Sequence, residues 1–270
     1  MTVRNIVLIT AGCCVIAGAA ISGAAAMKLQ GTHVYEDKEV VKEFTEKINI
    51  IDISSSYGDI NILPSENNNI SVKYVDCDIN RYNISVEGGA LIVKQNDEFY
   101  TKNWRENWFD RILNIDIHRH SCYTMEVKVP ENIITDVSIK ASAGAASVEG
   151  GKYKNLDCEL NYGGLKIHNV AAESVDITSD CGDVELKNVT ADIKTECDFG
   201  EIRFDRIKGK NISFDNDCGD VKGTIVGKEE EYTINAELDM GDKNIENRTG
   251  GQNRLDVSVD MGDVNIKFIE

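Results

Sequence analysis

The chain has 270 residues, a net charge of −17 and a pI near 4.7, so it offers no basic surface that could neutralise a run of phosphates, and nucleic acid is excluded as a partner. The same charge excludes polybasic docking onto anionic lipid, whereas its sign suits cationic ions, cationic peptides or basic proteins. Aromatics are 7% and prolines two, against 22 glycines, which is a composition for many short strands with tight turns and not for a helical bundle.

No residue between Arg4 and Lys28 is charged, and residues 6–27 are long enough to span a bilayer as a helix. Ala24-Ala25-Ala26 also satisfies the small-x-small rule for signal cleavage. Residues 1–28 are thus expected to be an anchor or a signal segment, and the length of the apolar run favours the anchor. The expected location is the cell membrane, single-pass through residues 6–27, with the C-terminal domain extracellular. Cys13 and Cys14 fall inside this run; Thr10 stands where a lipoprotein box wants Leu before Cys13, so both are taken as apolar membrane residues.

Residues 29–47 are polar and charged and are expected to be a spacer, with about three turns of helix over 36–47. From residue 48 the pattern changes to Ile51-x-Ile53-x-Ser55-x-Tyr57-Gly58-Asp59-Ile60-x-Ile62, which is strand, tight turn, strand, closed by Pro64. Further strands are expected at 70–74, 84–86 and 91–94, with Gly88-Gly89 as a turn. Residues 99–120 break the pattern: Phe99, Tyr100, Trp104, Trp108 and Phe109 interleave with Lys102, Arg105, Arg111 and Arg119. An inserted loop or short helix covering an open flank is expected there, the alternative being a stacking surface. His118 and His120 share one strand face but lack a third metal ligand. A strand over 123–129 ends at Pro130.

Beyond this point one phrase recurs: acidic residue, apolar residue, Gly, acidic residue. It is spelled in full around Gly182, Gly200, Gly219, Gly241 and Gly262 and more loosely, without the acids, at Ala143-Gly144 and Tyr162-Gly163, and these seven glycines follow one another at spacings of 18 to 22 residues. A period near 20 marks a solenoid in which each repeat is one coil. Apolar residues alternate on both sides of the glycine, as in Leu156, Cys158, Leu160 and Tyr162, then Leu165 and Ile167. On this alternation the residue before each glycine is expected to plug the core. The expected fold is all-β: a right-handed β-solenoid, resembling a single-stranded β-helix, of about 20-residue coils over 48–270, preceded by one transmembrane helix.

The alignment constrains the cysteines. Cys181 and Cys218 share a column two coils apart, about 9–10 Å, and Cys197 lies roughly 8 Å from either. Both distances exceed the ~7 Å limit for a disulfide. Cys158 aligns with Ile177. These four are expected to be free and buried as small hydrophobes, leaving Cys77 and Cys122 as the pair that could bridge.

Two acidic columns flank the glycines. Asp180, Asp198, Asp217, Asp239 and Asp260 form the first, and Asp183, Glu201, Asp220, Asp242 and Asp263 the second. Like charges ~5 Å apart repel by about 1 kcal/mol per pair even in water. Asp beside a Gly turn earns a structural place by accepting backbone N–H groups. The alternative is a Ca²⁺ ladder of oxygen ligands, although the Gly-Gly-x-Gly-x-Asp nonapeptide is missing. No other cofactor is expected, and no Ser/His/Asp or Cys/His catalytic set is evident.

The order of an N-terminal apolar segment, an Ile-Asp-Ile…Tyr-Gly-Asp-Ile coil, a strand ending Val-x-Val-Pro and repeated Gly-Asp coils resembles the bacterial putative-adhesin family of β-strand-repeat domains, over about 48–270. The resemblance implies a single-sheeted or three-faced β-solenoid and carries no catalytic residues. Some members are anchored beside envelope-stress systems of Gram-positive bacteria that respond to cell-wall antibiotics and cationic peptides. This chain departs from the pattern in its Asp or Asn where Ser is common before the Gly, in its cysteines and in 99–120. The implied function is a non-enzymatic, surface-displayed scaffold or adhesin-like module with an envelope protein or glycan as partner. The alternative is an envelope-stress accessory binding cationic peptides or divalent cations through its acidic ladders. A polysaccharide lyase or glycosidase would need paired acids with a basic partner in a groove, which the regular columns do not supply.

Overall fold

The computed structural model describes residues 38–76, 81–96, 124–131, 133 and 135–270. Period-two alternation gives each strand one apolar face, and that face has to be covered by a second sheet. The chain meets this demand coil by coil, sending one strand to each of two facing sheets.

The N-terminal part contains β1 (Lys38–Phe44), β2 (Ile50–Ser55), β3 (Asp59–Ser65), β4 (Ile70–Asp76), β5 (Tyr82–Glu87), β6 (Ala90–Gln95) and β7 (Thr124–Pro130). The repeats follow as pairs joined at a glycine: β8 (Thr135–Ala143) with β9 (Ala146–Glu149), β10 (Lys152–Tyr162) with β11 (Leu165–His168), and β12 (Ala171–Cys181) with β13 (Val184–Lys187). Next come β14 (Thr190–Phe199) with β15 (Ile202–Ile207), and β16 (Asn211–Cys218) with β17 (Val221–Val226). The chain ends with β18 (Tyr232–Met240), β19 (Asn253–Met261) and β20 (Val264–Ile269).

One sheet runs β1-β4-β7-β3-β9-β11-β13-β15-β17-β20 and the other β18-β19-β16-β14-β12-β10-β8-β2-β6-β5. Equivalent residues stack in parallel register, as in Val137, Leu156, Val175, Ile193 and Ile212. Their side chains are at most 3% exposed and fill one continuous core between the sheets. Burying each such side chain contributes roughly 1.5–3 kcal/mol, which is too little for one coil alone and is why the coils exist only as a stack. The solenoid is therefore two-faced, not single-sheeted or three-faced.

At both ends the stack departs from chain order. Strand β2 lies between β6 and β8, and β3 between β7 and β9, so the first coil sits inside a later one. At the other end β19 inserts between β16 and β18, and the last coil is clasped by the two before it. Antiparallel β1, β4 and β5 close the first end. Residues 241–252 close the other, with Ile245 buried and Ile234 and Arg248 exchanging backbone hydrogen bonds of 2.8 and 2.9 Å. The Asn244 carboxamide accepts from Ile266 N–H at 2.8 Å and donates to Ile266 C=O at 2.9 Å, occupying the edge of β20 as a strand would.

Several expectations need correction. Residues 38–44 form strand β1, not helix: they pair antiparallel with β4, and Val40 and Phe44 pack against the core. Strand β3 runs through Pro64 to Ser65; β9 pairs only as far as Ile62, so no strand on that side asks Pro64 for an N–H. The single-pass membrane location with an extracellular C-terminal domain is also overturned, because no helix of the described residues is long and apolar enough to cross a membrane; among them the only helical piece is the 3-10 turn Glu229–Glu231. The apolar stretch 6–27, the aromatic segment 99–120, His118, His120, Cys77 and Cys122 lie outside the described residues.

Candidate functional site

The repeated phrase builds one corner of the stack. Along it run Gly58, Gly144, Gly163, Gly182, Gly200, Gly219, Gly262 and Gly241, each against the next. Gly163 has φ +136°, and a Cβ placed on it would lie 2.1 Å from the Gly144 carbonyl oxygen. Positive φ and close backbone approach both demand glycine. The glycine N–H groups then bond across coils: Gly163 N–H donates to Cys181 C=O and Gly182 N–H to Phe199 C=O, each at 2.9 Å.

This seam leaves no room for a side chain inside the corner. Leu160 is the last inward residue before it and Leu165 the first after it, so the residue before each glycine points out. The expected core plug is therefore an exposed row. Tyr162 is 64% exposed, Phe199 58%, Met240 63% and Met261 54%, while Cys181 and Cys218 are half-buried and Ala143 is exposed. Register makes the row continuous: Ala143, Tyr162, Cys181, Phe199, Cys218, Met261, Met240.

The two acidic columns prove different in kind. In the second, the carboxylates reach across to the next coil. Asp59 Oδ1 accepts Ala145 N–H at 2.9 Å, Asp183 Oδ1 accepts Glu201 N–H at 3.0 Å, and Asp220 Oδ1 accepts Asp263 N–H at 2.9 Å. Asp263 Oδ1 accepts Asp242 N–H at 2.9 Å. Glu201, one methylene longer, turns aside and pairs with Arg203 and Lys222. In the first column Asp180, Asp198, Asp217, Asp260 and Asp239, in that spatial order, are exposed and make no hydrogen bond or ion pair among the described residues. No group of three or more His, Cys, Asp or Glu side chains that could hold a metal ion occurs among the described residues, the ten column residues included.

Polar side chains just inside the corner serve its carbonyls. Ser179 Oγ donates to Gly182 C=O at 3.3 Å, and Asn216 Nδ2 to Gly200 C=O at 3.1 Å. Cys158, Cys181, Cys197 and Cys218 are all free, as their spacing demands. Burial pushes the Cys158 thiol far up and the Cys197 thiol to about 11, whereas Cys181 and Cys218 stand in the outward row. At the opposite corner Asn169 and Asn188 adopt φ near +58° and +51°, with Asn188 Nδ2 donating to Asn169 Oδ1 at 2.9 Å. The Asn-Val-Ala and Asn-Val-Thr spellings there were the available signal for this second ladder.

Fold and corner together define an all-β repeat domain of the solenoid type with a carboxylate-framed apolar edge. The chain belongs to the Toastrack DUF4097 family, whose pattern matches residues 48–270. Solved structures similar to it include a putative cell adhesion protein from Clostridium sporogenes, 14% identical, covering 87% of this chain and 100% of its own, with a TM-score of 0.38. A putative adhesin from Bacteroides fragilis is 12% identical, covering 85% of this chain and 97% of its own, with a TM-score of 0.39. One from Parabacteroides distasonis is 10% identical, covering 86% and 98%, with a TM-score of 0.33. No curated protein matches the chain.

Proposed function

We propose that this protein is a non-enzymatic, adhesin-like binding module that holds its partner along the corner strip. One observation carries the proposal: of the six large hydrophobics exposed among the described residues, four stand in the single row between the acidic columns. Exposed apolar residues ordinarily scatter, and their alignment marks a contact surface. The carboxylates on either side choose the sign of the partner. A cationic amphipathic segment lying along the stack sets apolar side chains on Tyr162, Phe199 and Met261 and its Lys or Arg residues on Asp180, Asp198 and Asp217.

The first acidic column supports this assignment because it has no structural duty. Its mutual repulsion is a standing cost that a cationic partner relieves. The test is titration of a fluorescent cationic amphipathic peptide, with a sequence-scrambled peptide of equal charge as control. Binding should weaken at least tenfold in Tyr162→Ser/Phe199→Ser, and should lose salt dependence in Asp180→Asn/Asp198→Asn/Asp217→Asn. Unchanged binding in both variants would refute the strip as the contact surface.

A further inference from the structure

One end of the corner row is made of sulfur. Cys218 is in register with Met261, and Met261 with Met240, on three neighbouring strands. Each of the three precedes a corner glycine, so their side chains leave the stack together. Met261 and Met240 are 54% and 63% exposed, and Cys218 is free and half-buried.

Strand spacing sets the geometry. Equivalent atoms on neighbouring strands stand about 4.8 Å apart, close to twice a metal–sulfur bond of ~2.3 Å. An ion held between two neighbours therefore asks for little side-chain movement, and the unbranched Met side chains supply the rest. Thiolate and thioether donors select Cu(I) over hard cations such as Ca²⁺. Asp217, Asp260 and Asp239, one position upstream of the three sulfurs, raise the local concentration of any cation without competing as soft ligands. On the other side of Cys218 the row continues with Phe199, which ends the run of sulfur.

We propose that Cys218, Met261 and Met240 form a binding site for a soft monovalent cation of the Cu(I) type. Binding deprotonates the Cys218 thiol, so one proton is released per ion. Cys158 and Cys197 face the core and take no part.

The test uses the full chain carrying Cys13→Ser, Cys14→Ser, Cys77→Ser, Cys122→Ser and Cys181→Ser, so that background thiols are removed. Cu(I), kept reduced with ascorbate under nitrogen, is titrated against the chromophoric competitor bicinchoninate. One Cu(I) per chain is expected, with affinity falling at least tenfold in Cys218→Ser and in Met261→Leu and less in Met240→Leu. Excess Ca²⁺ should leave the titration unchanged. The three side chains lie on the surface, so urea midpoints should stay constant and separate lost binding from lost folding. Absence of competition, or equal affinity in all variants, overturns the site.

Discussion

Asp220 Oδ1 accepts the backbone N–H of Asp263 at 2.9 Å across 43 residues of sequence. The bond is possible because the last coil leapfrogs the one before it and settles beside β16 and β17. A carboxylate in the second column thus serves as a cap for the next coil, satisfying a corner N–H that strand pairing leaves free. Asp220→Ala removes that acceptor and should cost about 1 kcal/mol, read as a lower urea midpoint with unchanged slope. Asp220→Asn keeps an oxygen in place, and the repulsion it relieves along the column is offset by loss of the exposed 3.9 Å ion pair with Lys222, so its midpoint should stay near the wild-type value. Equal losses in both variants would mean that the charge, not the hydrogen bond, matters at this position.

The glycine seam makes a sharper demand. On Gly163 a Cβ meets the Gly144 carbonyl oxygen at 2.1 Å while φ is +136°. Gly163→Ala combines backbone strain with overpacking and should cost about 4 kcal/mol. Gly250, with φ +100° and nothing within 4 Å of its Cβ position, isolates the strain. Gly250→Ala should cost about 1 kcal/mol. Thermal unfolding of the two variants measures the difference, which is the contribution of close approach along the corner.

Much of this was legible in the residues. The glycine period gave the coils, and the alternation identified Leu156, Cys158 and Leu160 as inward, all of them buried. The free cysteines followed from column arithmetic. Legibility ended at the corner, because strict period two carries Tyr162 inward after Leu160, whereas the backbone seam at Gly163 fills the space that side chain would need. The interleaved ends were equally hidden: the coils of β18 and β19 carry the same pattern, so nothing local says which one lies against β16. That Asp183, Asp220 and Asp263 cap the next coil while the first column makes no bond among the described residues depended on cross-coil distances that no single repeat spells out.

Thr195 is a core position filled by the wrong chemistry. It stacks between Ile177 and Phe214, is fully buried, and its hydroxyl has no hydrogen-bond partner among the described residues. Thr195→Val keeps the shape and removes an unpaired polar atom, so it should stabilise the protein by about 1 kcal/mol. An increase in urea midpoint checks this; a decrease would show that the hydroxyl is solvated or paired in solution.

Asp192 makes the fold sensitive to acid. Burial pulls its pKa up, but the Asn211 side chain, the Asn211 and Lys210 N–H groups and the Lys210 charge outweigh this and hold it below the ordinary 3.8. A depressed folded pKa means that the unfolded chain takes up the proton first as pH falls. The stability Asp192 contributes is therefore complete above 3.8 and is lost as pH drops through the lower folded value. Urea midpoints of wild type and Asp192→Ala should differ by a constant amount above about pH 5 and converge below pH ~3.8.

The thiols report the corner directly. Cys181 and Cys218 stand in the outward row beside Tyr162, Phe199 and Met261, whereas Cys158 and Cys197 are buried. Burial, the first cause in each case, raises the Cys158 thiol far above its ordinary 9.0 and the Cys197 thiol to about 11. The attacking species is the thiolate, so exposure and pKa act in the same direction. Alkylation of the native protein at pH 8 followed by peptide mass spectrometry should label Cys181 and Cys218 within minutes. Cys158 and Cys197 should be labelled only as fast as the protein unfolds, and 4 M urea should accelerate them far more than the outer pair. Had the residue before each glycine plugged the core, all four would be protected alike, so equal protection would restore that arrangement and remove the outward row.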